Sequence, residues 1–167
     1  VTNIVTLDSY SIYSESIKLA LQMNGMEVVL DFRYWNDLLE YLEFQTPDLI
    51  LLNLAYGYNH DLESLRQLKQ RYPEVPVIMI TSEKYSDFFI EYLLIGVNGF
   101  ILSDTPVSEM EKAIREVTKG EDYYPNLMFR KLKEFLFLYQ VNPAMMRHRH
   151  VLTQRETDIL KLFCKGM

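Results

Sequence analysis

The sequence predicts an α/β fold, a doubly wound five-stranded parallel sheet of order 2-1-3-4-5, and three observations predict it. Five short apolar runs recur: NIVTL (3–7), VVL (28–30), DLILLN (48–53), VPVIMIT (75–81) and GFIL (99–102). Segments with helical spacing lie between them. The runs are apolar throughout rather than alternating, as strands buried on both faces are. Strand and helix alternating five times call for right-handed crossovers and helices on both sides of the sheet.

The elements follow in order. NIVTL opens the sheet, and Tyr13, Ile17 and Leu21 then repeat at i, i+4 and i+8. VVL is the least apolar run and belongs at the edge. Trp35, Leu38, Leu39 and Leu42 give the second helical stripe. DLILLN follows Pro47 and ends in a Tyr/Gly/Asn-rich turn, so it is a central strand with Asn53 at its carboxyl end. VPVIMIT is the next central strand. The segment 85–95 is apolar on most sides and reads as a helix. GFIL is the fifth strand, and Val107, Met110, Ile114 and Val117 form the stripe of the helix after it. In this order the cleft lies at the ends of strands 1 and 3, where Asp8, Ser9 and Asn53 meet.

After Gly120 the pattern changes. NLMFRKLKEFLFLYQ (126–140) is one more amphipathic helix, and Pro125 suits its first position. Leu132, Phe135, Leu136 and Tyr139 share one of its faces, which suits either a dimer contact or packing against the chain's own body. VNPAMMRHRHV lacks periodicity and reads as a linker. In LTQRETDILKLFCKGM, Thr153 and Glu156 form a capping box, with Arg155 between them. Ile159, Leu160, Leu162 and Phe163 supply a stripe that Gly166 stops. A lone helix of this size cannot bury its stripe, so it is a docked tail or a domain cut short. A first residue of Val rather than Met suggests a trimmed start. The expected divisions are 1–120, 121–150 and 151–167.

Composition narrows the classes. No apolar run approaches the roughly 18 residues of a membrane helix, and the lone Cys164 excludes an internal disulfide and fits a reducing, cytoplasmic setting. Residues 1–120 hold 9 Lys/Arg against 18 Asp/Glu, a balance of −9, and residues 121–167 hold 8 against 5, or +3. An acidic body with a basic tail is compatible with a regulator whose tail meets nucleic acid. Arg147-His148-Arg149-His150 reads as solvated linker, since two imidazoles without a third ligand seldom make a metal site. No phosphate-binding glycine loop, nucleophile elbow or zinc-protease motif occurs, and no enzyme is expected.

These features resemble a known family. Residues 2–120 are similar to the flavodoxin-like receiver domain of bacterial response regulators. Leu152 to Gly166 match the L-T-x-R-E-x-x-[IVL]-L-x-L pattern that opens a LuxR-type helix-turn-helix, so the whole resembles the NarL/FixJ class. The resemblance implies a phosphoacceptor Asp where Asn53 stands and an acidic pair for Mg²⁺ where Asp8 and Ser9 stand. It also implies a phosphate-pairing Lys where Ser103 stands. The family's hydroxyl and switch aromatic are matched by Thr81 and Phe100. Three carboxylates have become one, so Mg²⁺ binding is expected to be weak or absent.

An amide cannot form an acyl phosphate. Asn53 can instead hydrogen bond to Asp8, Ser9 or Thr81 and hold one conformation without phosphate. Three readings follow. The first is a DNA-binding transcription regulator with a phosphorylation-independent receiver, dimeric, whose DNA contacts come from the rest of the helix-turn-helix. The second is a stand-alone module that binds a protein partner. The third is a small-molecule sensor. Some regulators of this family bind cyclic di-GMP through an aromatic-x-[Ser/Thr]-Arg motif, but Tyr123-Tyr124-Pro125-Asn126 lacks that Arg.

Overall fold

The computed structural model describes residues 2–8, 11–53, 58–82 and 89–141, although the side chains at 11–13, 58–61, 135, 136 and 138–141 fall outside that description. The chain divides into two compact units, Val1–Pro125 and Asn126–Met167.

The first unit alternates strand and helix as the apolar runs require. Its elements are β1 (Thr2–Asp8), α1 (Ser11–Gln22), β2 (Met26–Phe32), α2 (Trp35–Leu42), β3 (Leu49–Asn53), α3 (Tyr58–Arg71), β4 (Val77–Thr81), α4 (Phe89–Ile95), β5 (Gly99–Leu102) and α5 (Val107–Val117). All strand pairs are parallel, and the order is β2-β1-β3-β4-β5. The fold class and the strand order stand as the apolar pattern gave them. VVL lies within β2, an edge strand, and the register of β1 on β2 slips between Ile4 and Val5.

Strand parity divides the core into two layers. Ile4, Met26, Val28, Leu49, Leu51, Ile78, Ile80 and Ile101 point to one face. Ile17 and Leu21 of α1 and Met110, Ala113, Ile114 and Val117 of α5 cover them. The alternate strand residues Val5, Leu7, Ile50, Leu52, Val77, Met79 and Phe100 are buried as well. Leu38 and Leu42 of α2, Leu65 and Leu68 of α3, and Phe89, Ile90, Tyr92 and Leu93 of α4 are buried too. A sheet buried on both faces explains why its strands read as unbroken apolar runs.

Two details differ from the sequence pattern, and a third, the helix expected at 85–95, falls partly outside the described residues. Val107 sits in the first turn of α5 and is exposed, so the stripe becomes core only from Met110 onward. The α4 helix covers Phe89–Ile95, and 83–88 lie outside the described residues. The receiver-like unit also extends past α5. Gly120, with φ of +87°, ends that helix in a Schellman turn, its N–H on the Val117 carbonyl at 3.0 Å and the Glu121 N–H on the Glu116 carbonyl at 3.1 Å. The chain then returns to the sheet, where Tyr123 makes a parallel bridge with Gly99.

In the second unit, α6 (Asn126–Val141) forms directly after Pro125. Leu132 is buried and Phe137 is 65% exposed; Phe135, Leu136 and Tyr139 belong to the side chains not described. Of the linker only Val141 is described, as the last residue of α6, and LTQRETDILKLFCKGM, with Thr153, Arg155 and Glu156, lies outside the described residues.

Candidate functional site

Asp8 is the last residue of β1, Asn53 is the last of β3, and the register pairs them side by side. Parallel strands end together at the carboxyl edge of an open sheet, which is where such folds bind and react. Asp8 is 2% exposed. The Asn53 Nδ2 donates to its Oδ2 at 3.0 Å. An ionised carboxylate only accepts, so the amide nitrogen is the atom that must face it.

Thr81 ends β4, one strand further on, and is half-buried. Its backbone carbonyl accepts the Ser103 N–H at 2.7 Å, which brings the ends of β4 and β5 together. Among the described residues its hydroxyl reaches the Ser82 carbonyl, at 3.5 Å. Ser103 is exposed just past β5, and Ser9 lies outside the described residues. Phe100 is 1% exposed. It pairs in register with Met79, which puts it on the opposite sheet face from Ile78 and Ile101, away from the parity of Asp8 and Asn53.

Among the described residues the donor set does not fit Mg²⁺. That ion wants a near-octahedral shell of hard, charged oxygens, whereas Asp8 is here a single carboxylate with an amide N–H turned onto one oxygen. Among the described residues no group of three His, Cys, Asp or Glu side chains is placed to hold a metal. The Asn53 side chain is itself a poor phosphoryl acceptor, because an amide nitrogen has a delocalised lone pair and the oxygen carries no full charge. What the pair does offer is a charge-assisted hydrogen bond joining two neighbouring strand ends.

Two polar groupings escaped sequence reasoning. Beside the site, Asp31 of β2 accepts from Thr6 Oγ1 at 2.6 Å and from Ser14 Oγ at 2.9 Å. It thereby ties β1, β2 and α1 together beneath Asp8. Thr6 is the one hydroxyl in NIVTL, and a buried hydroxyl demands a partner; that was the available signal, though it did not name Asp31.

The second grouping sits at the opposite, amino end of β4 and β5. Lys69 Nζ donates to the carbonyls of Pro73 at 3.3 Å and Val75 at 3.0 Å and to Asn98 Oδ1 at 3.2 Å. Asn98 Oδ1 also accepts the Val77 N–H at 3.1 Å. Burial pushes the Lys69 ammonium down, against the attraction of Asp122 and Glu74. Burial likewise pushes Asp122 up, against hydrogen bonds from Asn98 and Tyr124 and the charge of Lys69. Desolvation outweighs attraction on both partners.

The response regulator receiver domain family matches residues 4–115, nearly the whole of the sheet and its covering helices. The chain belongs to that family. Among curated relatives, the transcriptional regulatory protein DegU of Brevibacillus brevis is 27% identical over 98% of this chain and 75% of its own. Response regulator protein VraR of Staphylococcus aureus is 30% identical over 72% of this chain, which spans only 54% of that protein. Among solved structures, the isolated receiver domain of RcsB from Salmonella enterica serovar Typhimurium superposes with a TM-score of 0.71 at 19% identity, covering 80% of this chain and 99% of that one. A LuxR-family DNA-binding response regulator from Silicibacter pomeroyi gives 0.65 at 24% identity, over 77% of this chain and 99% of its own. These two likenesses establish the fold.

Proposed function

We propose that this receiver belongs to a DNA-binding transcription regulator and that its conformation is set without phosphoryl transfer. The observation that carries the reading is the 3.0 Å hydrogen bond from Asn53 to the buried Asp8. In a phosphate-driven switch, added charge biases a two-state element. Here the strand that supplies the acceptor ends in an amide already bonded to its neighbour, and the place of the phosphate-pairing lysine is Ser103. The contact between β1 and β3 is therefore made in the resting chain and has no chemistry through which to change.

The transcriptional part rests on kinship and on the tail. DegU is a transcriptional regulator by name, and a structure similar to this chain, at a TM-score of 0.69 and 19% identity, holds two RcsB dimers on two parallel DNAs. The Leu152–Gly166 motif supports a LuxR-type helix-turn-helix, which would place a recognition helix in the major groove, as a dimer on paired half-sites. A reading frame that continues past Met167 into a basic second helix pair is the expected finding.

The receiver half is tested by intact-mass spectrometry after incubation with acetyl phosphate and Mg²⁺. The wild-type chain is expected to take up no phosphoryl group, and Asn53→Asp is expected to gain a slow, Mg²⁺-dependent adduct. An adduct on the wild-type receiver would overturn the reading.

A further inference from the structure

Phe100 is enclosed by aromatic rings, and one of them comes from beyond α5. Phe89 meets it edge-on at 4.9 Å and Tyr92 lies at 6.4 Å, both from α4. The third ring, Tyr124 at 6.0 Å, also packs edge-on against Phe89 at 5.8 Å. Tyr124 is two residues before α6, in the segment through which the chain leaves the sheet.

That exit segment is tied down at several points. The Phe100 N–H donates to the Tyr123 carbonyl at 2.8 Å, and the Tyr123 N–H donates to the Asn98 carbonyl at 3.0 Å. The Tyr124 hydroxyl donates to the Val97 carbonyl at 3.1 Å. Its one proton is also within reach of the Asp122 carboxylate, which accepts from Asn98 as well. Lys69 and the Val77 N–H fix the side-chain amide oxygen Oδ1 of Asn98. Gly96, with φ of +104°, closes α4 so that the Val97 carbonyl is presented there.

We infer that Asp122–Tyr124 is a strap whose docking and the buried position of the Phe100 ring are one coupled equilibrium. The ring of Tyr124 is a wall of the Phe100 site, and the backbone of Phe100 is a wall of the strap. If the strap lifts, Phe100 loses a ring partner and a hydrogen bond. If Phe100 leaves its site, Tyr124 loses the face it packs on. Coupling of this kind is reciprocal by thermodynamic necessity. It links the β4–β5 region, which ends at Thr81 and Ser103, to the residue from which α6 starts. It does not depend on DNA binding or on the absence of phosphoryl transfer.

The experiment is hydrogen exchange read by mass spectrometry on the full chain, for wild type, Phe100→Leu, Tyr124→Leu and Tyr124→Phe. Phe100→Leu is expected to speed exchange in 121–125 by about two- to tenfold, the range one aromatic pair supports. Tyr124→Leu is expected to do the same to the Phe100 amide, with β1 and β3 unchanged in both. Tyr124→Phe keeps the ring and removes only the hydroxyl, with its bond to the Val97 carbonyl. It is expected to speed the strap and the Phe100 amide together, because that amide donates to the Tyr123 carbonyl. A faster strap with an unchanged Phe100 amide would overturn the coupling. Unchanged exchange in 121–125 for Phe100→Leu would overturn the coupling. An equal rise across β1 to β5 would overturn it too, since that is general loss of stability.

Discussion

Asn53 is a residue whose value depends on its partner. Asp8 is buried, and removing a donor from a buried carboxylate costs more than an average hydrogen bond contributes. Asn53→Ala is expected to lower unfolding stability by about 1.5–3 kcal/mol in urea titrations at neutral pH. Unchanged or raised stability would mean that other groups already satisfy Asp8. Gly99 makes a steric case at the same scale. A Cβ there would meet Ile78 Cγ1 at 2.9 Å, Val117 Cγ2 at 3.2 Å and the Tyr123 carbonyl at 3.4 Å, on the face covered by α5. Gly99→Ala is expected to cost about 1–3 kcal/mol by overpacking, and a measured stabilisation would show that the α5 layer has room to yield. The strand-end place of Asn53 was readable because four apolar residues, Leu49 to Leu52, run straight into it. Its bond to Asp8 was readable only as one of several options, because Ser9 and Thr81 stood equally near in the topology.

At the scale of elements, legibility tracked burial. β3, β4 and β5 are buried on both faces, so composition alone marks them, and the buried part of the α5 stripe repeats at helical spacing. The strap after α5 left no such mark. Its bridge to Gly99 involves one residue, too short for any period. Its polar anchors come from three separate places in the chain, Lys69 from α3, Asn98 from just before β5 and Asp122 from after α5. That anchoring makes a pH prediction. Burial raises Asp122 above its ordinary value of 3.8, so the folded chain holds that proton more tightly than the unfolded chain. The penalty for keeping the group ionised is present at neutral pH. It is relieved as pH falls through the raised folded value, and the relief is complete below 3.8. Lys69 is shifted down from its ordinary 10.5 by burial, and it is present in both proteins compared. Stability of the wild type relative to Asp122→Asn is therefore expected to rise between neutral pH and about 4 in matched urea titrations. A difference that is flat or falls over that range would show that the hydrogen bonds from Asn98 and Tyr124 outweigh desolvation.

At the scale of the molecule, the question is what sets its assembly. A receiver that awaits phosphate changes its surface when a dianion arrives, because the charge pays for a rearrangement that the resting sequence disfavours. This chain has no acceptor for the charge at Asn53, a single carboxylate in Asp8 for a metal and no lysine at Ser103 to answer it. On the proposed reading, any equilibrium between one copy and two is a property of the sequence and the concentration, apart from ligands yet to be found. Solution mass by light scattering across a concentration series is the direct test. The mass curve is expected to be the same with and without Mg²⁺ and acetyl phosphate, whichever oligomer it describes. A curve that shifts toward dimer only with both present would show that phosphoryl control survives through a residue other than Asn53. A shift with Mg²⁺ alone would show that Asp8 recruits further oxygens to complete a metal shell.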